Sequence, residues 1–229
     1  MRPTTLSATL AAAAVLAGGI AGAAPASAAQ GGGRLPANPG VVALLDGAGN
    51  HVCSGVLVAP RWVLTDEGSM PCQGATTVTG DITRESVNIT ERKIPFPVKG
   101  WKGNDPTKSG AMLLHLDKPV KRVKPVALSD AHPAKGEKLD VVAFNGPEGI
   151  NHTLSVGTSS VTAKNHNGWA SYYGKPAAFT LEGPVDNGSP VMRDGKVVGF
   201  VQVANPRGFN AEDIAHIHAW ITKTAGLKK

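Results

Sequence analysis

Short apolar runs, cut apart by Gly, Pro, Asn and Asp clusters, set the strongest limit on what this chain can fold into. Val41–Leu45, Val52–Val58, Trp62–Thr65, Ala111–Leu116, Leu139–Phe144 and Lys196–Val203 are each rich in Val, Leu or Ile and bounded by turn residues. Runs of this length and composition suit a pleated, largely buried surface, and their recurrence predicts an all-β sandwich or barrel. Met192-Arg-Asp-Gly-Lys196 places Asp194-Gly195 between two such runs, which predicts a tight hairpin. Only the C-terminus reads as helical. There Ile214, Ile217, Trp220 and Ile221 recur at spacings of three and four, one face of a helix beginning near Asp213. The rest of the chain shows no internal repeat and no low-complexity tract.

Residues 1–28 are expected to leave the mature protein. Arg2 precedes an Ala- and Leu-rich run ending in Ala26-Ser-Ala28, the pattern of a secretory signal peptide with its cleavage site. A secreted, extracellular protein follows, with residues 29–37 as a flexible lead-in through Gly31-Gly-Gly33 and Pro36. No later segment is long and apolar enough to span a membrane. Export puts the two cysteines, Cys53 and Cys72, in an oxidising compartment, where a pair so close in sequence is expected to form one disulfide. Two buried thiols are the alternative. Nothing nearby supplies the His or Cys partners of a metal site, and neither a metal nor a cofactor is expected. His216 and His218 lie two apart on the C-terminal helix and cannot share a face.

Five segments then stand in a telling order. Cys53-Ser-Gly-Val-Leu-Val-Ala-Pro-Arg-Trp-Val-Leu-Thr65 comes first, then Ser109-Gly-Ala-Met-Leu-Leu-His-Leu-Asp-Lys-Pro-Val120 and Val123-Lys-Pro-Val-Ala-Leu128. Leu181-Glu-Gly-Pro-Val-Asp-Asn-Gly-Ser-Pro190 follows with its return through Gly199-Phe-Val201, and Trp220-Ile221 closes the set. Together they resemble the trypsin-like, chymotrypsin-fold serine proteases: the strand pair leading to the catalytic histidine, the strand after the catalytic aspartate, the crossing between barrels, the nucleophile loop and the closing helix. The resemblance runs over about residues 38–224. It implies two six-stranded Greek-key β-barrels, with barrel 1 about 38–126, barrel 2 about 127–212 and a C-terminal α-helix about 213–225, and an active-site cleft between the barrels.

The chemistry of that family needs a serine, an imidazole base, an orienting carboxylate and backbone donors for the oxyanion. Counting from Cys53 and Thr65, the histidine position falls at or near Gly68, and no histidine occurs between His51 and His115. The aspartate position falls on Gly110; Asp105 lies too far upstream for a simple slip along a strand of alternating faces. Asn187 stands in the place of the serine, and Val185 in that of the glycine whose N–H lines the oxyanion hole. Ser189, the outside candidate for a nucleophile, matches the loop's second small residue and is expected to face elsewhere. Asp66 and Glu67 are expected in a solvated acidic loop, their diverging side chains weighing against paired-carboxylate chemistry. Asp186, retained from the family's loop, is expected to bond to nearby backbone N–H groups. The position that sets basic specificity falls on Leu181.

The resemblance therefore implies a secreted, catalytically inactive homologue acting as a binding or decoy module, and monomeric. The alternative is an active secreted serine endopeptidase using residues outside the family pattern. A formal net charge of +6, which counts Arg2, bears on adhesion rather than fold. Arg92, Lys93, Lys99, Lys102, Lys118, Lys121, Arg122 and Lys124 crowd one stretch. They suit either a face for an anionic cell-surface polymer or acidic protein, or a scattered set of solvating cations. No specific nucleic-acid motif accompanies them.

Overall fold

A computed structural model describes residues 30–80, 85–95, 109–145, 153–164, 171–176, 179–181, 183–205 and 207–228. Residues 1–28, expected as a signal peptide, and Lys99, Lys102 and Asp105 lie outside them. Two short strands open the described chain, β1 (Gln30–Gly31) and β2 (Gly33–Arg34). Six more follow: β3 (Val41–Leu45), β4 (His51–Ala59), β5 (Trp62–Asp66), β6 (Thr77–Thr79), β7 (Val87–Lys93) and β8 (Ala111–Leu116), with helix α1 (Met70–Gly74) between β5 and β6. The strands β3-β4-β5-β8-β7-β6 close into a barrel.

The second half contains β9 (Lys138–Asn145), β10 (Thr153–Lys164), β11 (Ser171–Pro176), β12 (Phe179–Thr180), β13 (Pro190–Arg193), β14 (Lys196–Asn205) and β15 (Gly208–Asp213). Its main sheet runs β11-β15-β14-β13-β9-β10-β2, and β10 also pairs with β11, so the sheet curls back on itself into a barrel-like ring. A 3-10 turn at Ile214–Ile217 leads into α2 (His218–Ala225). Asp213 caps that turn, its Oδ1 accepting from the Ala215 N–H at 3.1 Å, as a residue with a short acceptor does at a helix start.

Alternation of side chains explains how the barrels pack. On β3 and β4, Val42, Leu44, Cys53 and Leu57 fill the interior of the first barrel. Their neighbours Val41, Ala43, Leu45, Val56 and Val58 face outward yet are equally buried, because successive residues of a strand point to opposite faces. That outward set meets Val142, Phe144, Met192, Val197 and Phe200 of the second half, with Ile214, Ile217 and Ile221 closing over the same core. Strands buried on both faces are why these segments read as unbroken apolar runs. β7, with Asn88, Thr90, Glu91, Arg92 and Lys93 partly or fully exposed, escapes that pattern.

Two local expectations need correction. Residues 30–34 are not an unpaired lead-in: Gln30 and Gly31 pair with Thr180 and Phe179, and Gly33 and Arg34 with Val156 and Ser155. The backbone groups of this Gly-rich stretch find ladder partners on the second sheet. Helix also forms outside the C-terminus, at α1, where Pro71 falls in the first turn and Cys72 is buried. Pro tolerates that position because its missing N–H would have no helical partner there. The Cys53–Cys72 disulfide anchors α1 to β4.

Candidate functional site

Two of the expected catalytic positions, Gly68 and Gly110, both lie beside Asp66 at the end of β5. Pairing of β5 with β8 sets Asp66 opposite Ala111, which brings Gly110 beside Asp66. The loop holding Asn187 crosses from the second half onto β4. The Asn187 carbonyl accepts from the Ser54 N–H at 2.9 Å, and Ser54 Oγ donates to the Val185 carbonyl at 2.7 Å. Gly188 has φ of +83°, and a Cβ there would run into the Ser54 carbonyl; only glycine fits a loop pressed this closely on another strand.

Position 68 is exposed, and a side chain there would be tight only against Asp66. A Cβ on Gly68 would meet nothing nearer than Asp66 Oδ1 at 3.3 Å. Position 110 is different. A Cβ on Gly110 would lie under 3.0 Å from Gln202 Nε2, closer than side chains come, and 3.4 Å from Asp66 Oδ1. Gln202 reaches this point because it is the extra residue of a bulge: Val201 pairs with Ala211 and Val203 with Asn210, leaving Gln202 without a partner position. Bulges re-aim side chains in this way.

Gln202 Nε2 donates to Glu212 Oε2 at 2.8 Å. The other oxygen of Glu212 accepts from Ser109 Oγ, and the Gly110 N–H points at Oε2 from 3.4 Å. Glu212 is fully buried and Asp66 almost so. Asp66, expected in a solvated loop, is thus a core carboxylate; β5 extends one residue further than the apolar run and carries it inside, while Glu67 stays half-buried. The Gly68 N–H donates to Asp66 Oδ1 at 3.0 Å. Burial pushes the Asp66 carboxyl up to about 8 against that bond, with Glu67 adding to the rise. Burial likewise pushes Glu212 up to about 8, opposed by Ser109 and Gly110 and reinforced by Asp66 and Asp213.

Histidines stand near this cluster, but not between a hydroxyl and a carboxylate. His216 Nε2 lies 3.3 Å from Glu212 Oε1, and burial lowers the affinity of His216 for a proton despite the Asp213 carbonyl on its Nδ1. Burial disfavours the charged form of both partners and so works against an ion pair here. His132 Nδ1 meets Asp213 Oδ2 at 2.7 Å. In Ser109–Glu212–His216 the carboxylate occupies the middle, whereas a serine nucleophile needs the imidazole beside it.

Of the remaining residues, Val185 lies within a 3-10 turn, Pro184–Asp186. Ser189 is fully buried, and its Oγ makes no hydrogen bond among the described residues. Asp186 is buried as well, and Leu181 belongs to the interior of the second barrel. In the basic stretch, Arg92 Nη2 is spent on the Ala75 carbonyl. Lys93 pairs with Glu91, and Lys118 and Lys121 approach Glu85 at 3.6 and 3.2 Å. No group of three or more His, Cys, Asp or Glu suited to a metal ion occurs among the described residues. Nor is any described helix long and apolar enough to cross a membrane.

Paired barrels with a loop-lined seam define the architecture of chymotrypsin-like proteins. The trypsin family model matches residues 30–221; the chain belongs to the trypsin family. Among solved structures, neuropsin, a serine protease of mouse brain, aligns with a TM-score of 0.65 at 22% identity over 85% of this chain and 98% of its own. Human heparin binding protein aligns at 0.63 and 18% identity, covering 86% and 98%. A scabies mite inactivated protease paralogue aligns at 0.68 and 17% identity, covering 87% and 100%. At these identities the likeness is one of fold. No curated protein matches the sequence significantly.

Gln202, Glu212, Ser109 and His216 were not singled out as a group by the sequence. One signal was present: Glu212-Asp213 ends a strand directly before the apolar helix face, an expensive place for two carboxylates unless they meet partners.

Proposed function

We propose that this is a secreted trypsin-family protein that does not hydrolyse peptides and serves as a binding module. The observation that carries the reading is the filling of position 110. Gln202 Nε2 takes the space that any side chain at Gly110 would need, and Glu212 and Asp66 flank it. With Gly68 and Asn187 at the other two positions, none of the three triad-equivalent positions carries the imidazole, carboxylate or hydroxyl that the family's reaction needs. Val185 in place of glycine removes the freedom of backbone from which an oxyanion nest is built. In proteases where it has been measured, losing the serine or the histidine costs about a million-fold in turnover and losing the aspartate about ten-thousand-fold, and the residual rate depends on the oxyanion hole. An inactivated paralogue among the structural neighbours is compatible with this reading.

The binding face we propose is the exposed part of the basic stretch, Lys118, Lys121, Arg122 and Lys124 with Lys93, and the partner an anionic polymer or acidic protein met by a monomer. The test of inactivity is direct. Mature protein incubated with a serine-reactive fluorophosphonate and with casein should show neither labelling nor cleavage, and Asn187→Ser should leave both at background. Stoichiometric labelling with casein cleavage, both lost in Ser189→Ala, would overturn the proposal in favour of an active endopeptidase.

A further inference from the structure

Asp66 and Glu212 come from opposite halves of the molecule and converge on the same residue. Asp66 ends β5 of the first barrel and its Oδ1 lies 3.4 Å from where a Cβ of Gly110 would be. Glu212, on β15 of the second, receives the Gly110 N–H and the Ser109 hydroxyl from the first. We infer that Asp66 and Glu212 form a proton-dependent latch between the barrels: with a proton on the pair the seam stays closed, and with both carboxylates charged it loosens.

The surroundings make charge on both groups costly. Neither carboxylate meets a Lys or Arg in any hydrogen bond or ion pair among those described for them. From the element of Asp66 itself, Glu67 faces it with like charge; from β15, Asp213 faces Glu212. β14 contributes only the neutral amide of Gln202. The 3-10 turn contributes His216, which burial keeps neutral, and the segment before β9 contributes His132, held by Asp213. Two like charges in a buried site with few compensating donors titrate as a pair, above the ordinary carboxylate range.

The direction follows from linkage. Raised carboxyl affinities mean that the folded state holds protons which the unfolded chain has released. Their contribution to stability is full below about pH 4 and is lost as pH rises toward about 8. His216 has the opposite sign: its lowered affinity gives a contribution present above its ordinary value of 6.5 and lost as pH falls. Above pH 6.5 the two effects are opposed in sign, so a loss of stability as pH rises toward about 8 has the sign of the carboxylates and not of His216.

The latch is independent of whether the protein hydrolyses peptides, and its test reads no activity. Amide hydrogen exchange of Ser54, whose N–H crosses the seam to Asn187, should be followed from pH 6.5 to 9 and corrected for intrinsic rate. Wild type is expected to lose about tenfold or more of its protection as the pair ionises, with a parallel fall in Tm; Asp66→Asn and Glu212→Gln should each flatten both. Because a core variant can misfold, carboxyl carbon NMR titration of the wild type gives a second reading, with at least one side-chain carboxyl titrating above pH 6.5. Equal loss of Ser54 protection in wild type and both variants, or a wild type whose carboxyls all titrate below pH 5, overturns the latch.

Discussion

Gly188 and Gly110 are both buried glycines at the seam, yet substitution at each meets a different obstacle. At Gly188 the obstacle is backbone: φ of +83° and the Ser54 carbonyl in the path of any Cβ. Neither can yield without tearing the Ser54–Asn187 bond, so Gly188→Ala is expected to cost on the order of 3 kcal/mol or more. Thermal unfolding should report a fall of roughly 6–12 °C for a protein of this size. At Gly110 the obstacle is the end of a flexible side chain, Gln202. Gly110→Ala need only displace that amide and give up its bond to Glu212, about 1–2 kcal/mol. Gly110→Asp goes further by setting a third carboxylate beside Asp66 and Glu212. Its penalty should be smallest near pH 5, where the neighbouring pair is protonated, and grow toward pH 8. A Tm deficit that stays constant across that interval would mean the added carboxylate does not face the pair.

Among the elements, those that separate two apolar cores were the legible ones. β3 and β8 have the bounds that the sequence predicts, and β4, β5, β9 and β14 differ by one or two residues at their ends. Their runs are apolar on both faces because both faces are covered. The Asp194-Gly195 turn was equally plain: both residues take positive φ, 48° and 75°, as a two-residue hairpin requires. β7 was missed because one of its faces meets solvent and carries Glu91, Arg92 and Lys93. α1 was missed because five residues are too few to show a helical period. That helix is held by Cys53–Cys72, which closes a loop of 19 residues. Replacing both cysteines by Ala should cost roughly 3 kcal/mol by the chain-entropy account, read as a lowered midpoint in guanidinium with a somewhat steeper slope, because the unfolded chain freed of the cross-link exposes more surface. No loss on replacement would place the stability of α1 in the packing around buried Ala75 rather than in the disulfide.

Across the whole molecule, the fold was legible from five short segments, while the site was legible only as a set of departures from a family pattern. Gly68, Gly110 and Asn187 could be placed by counting, but what fills the seam could not. Glu212 and Gln202 reach it through a bulge at Gln202 and the pairing of β14 with β15, geometry that no local spacing announces. The charge of the molecule invites a similar caution. A dense basic stretch in the sequence is divided in space, since Arg92 supports the Ala75 carbonyl and Glu85 stands between Lys118 and Lys121. If an anionic polymer docks here, it must compete with Glu85 for the two lysines, and relief of that competition gives a signed test. On a heparin column, Glu85→Gln should elute at higher salt than wild type, because it frees two cations without adding one. Arg122→Ala with Lys124→Ala should elute at lower salt, whereas Lys223→Ala on α2, which also removes one positive charge, should move elution less than either single change at 122 or 124. A shift that follows net charge alone, equal for Lys223→Ala and Lys124→Ala, would assign the basic stretch to general solvation rather than to a docking face.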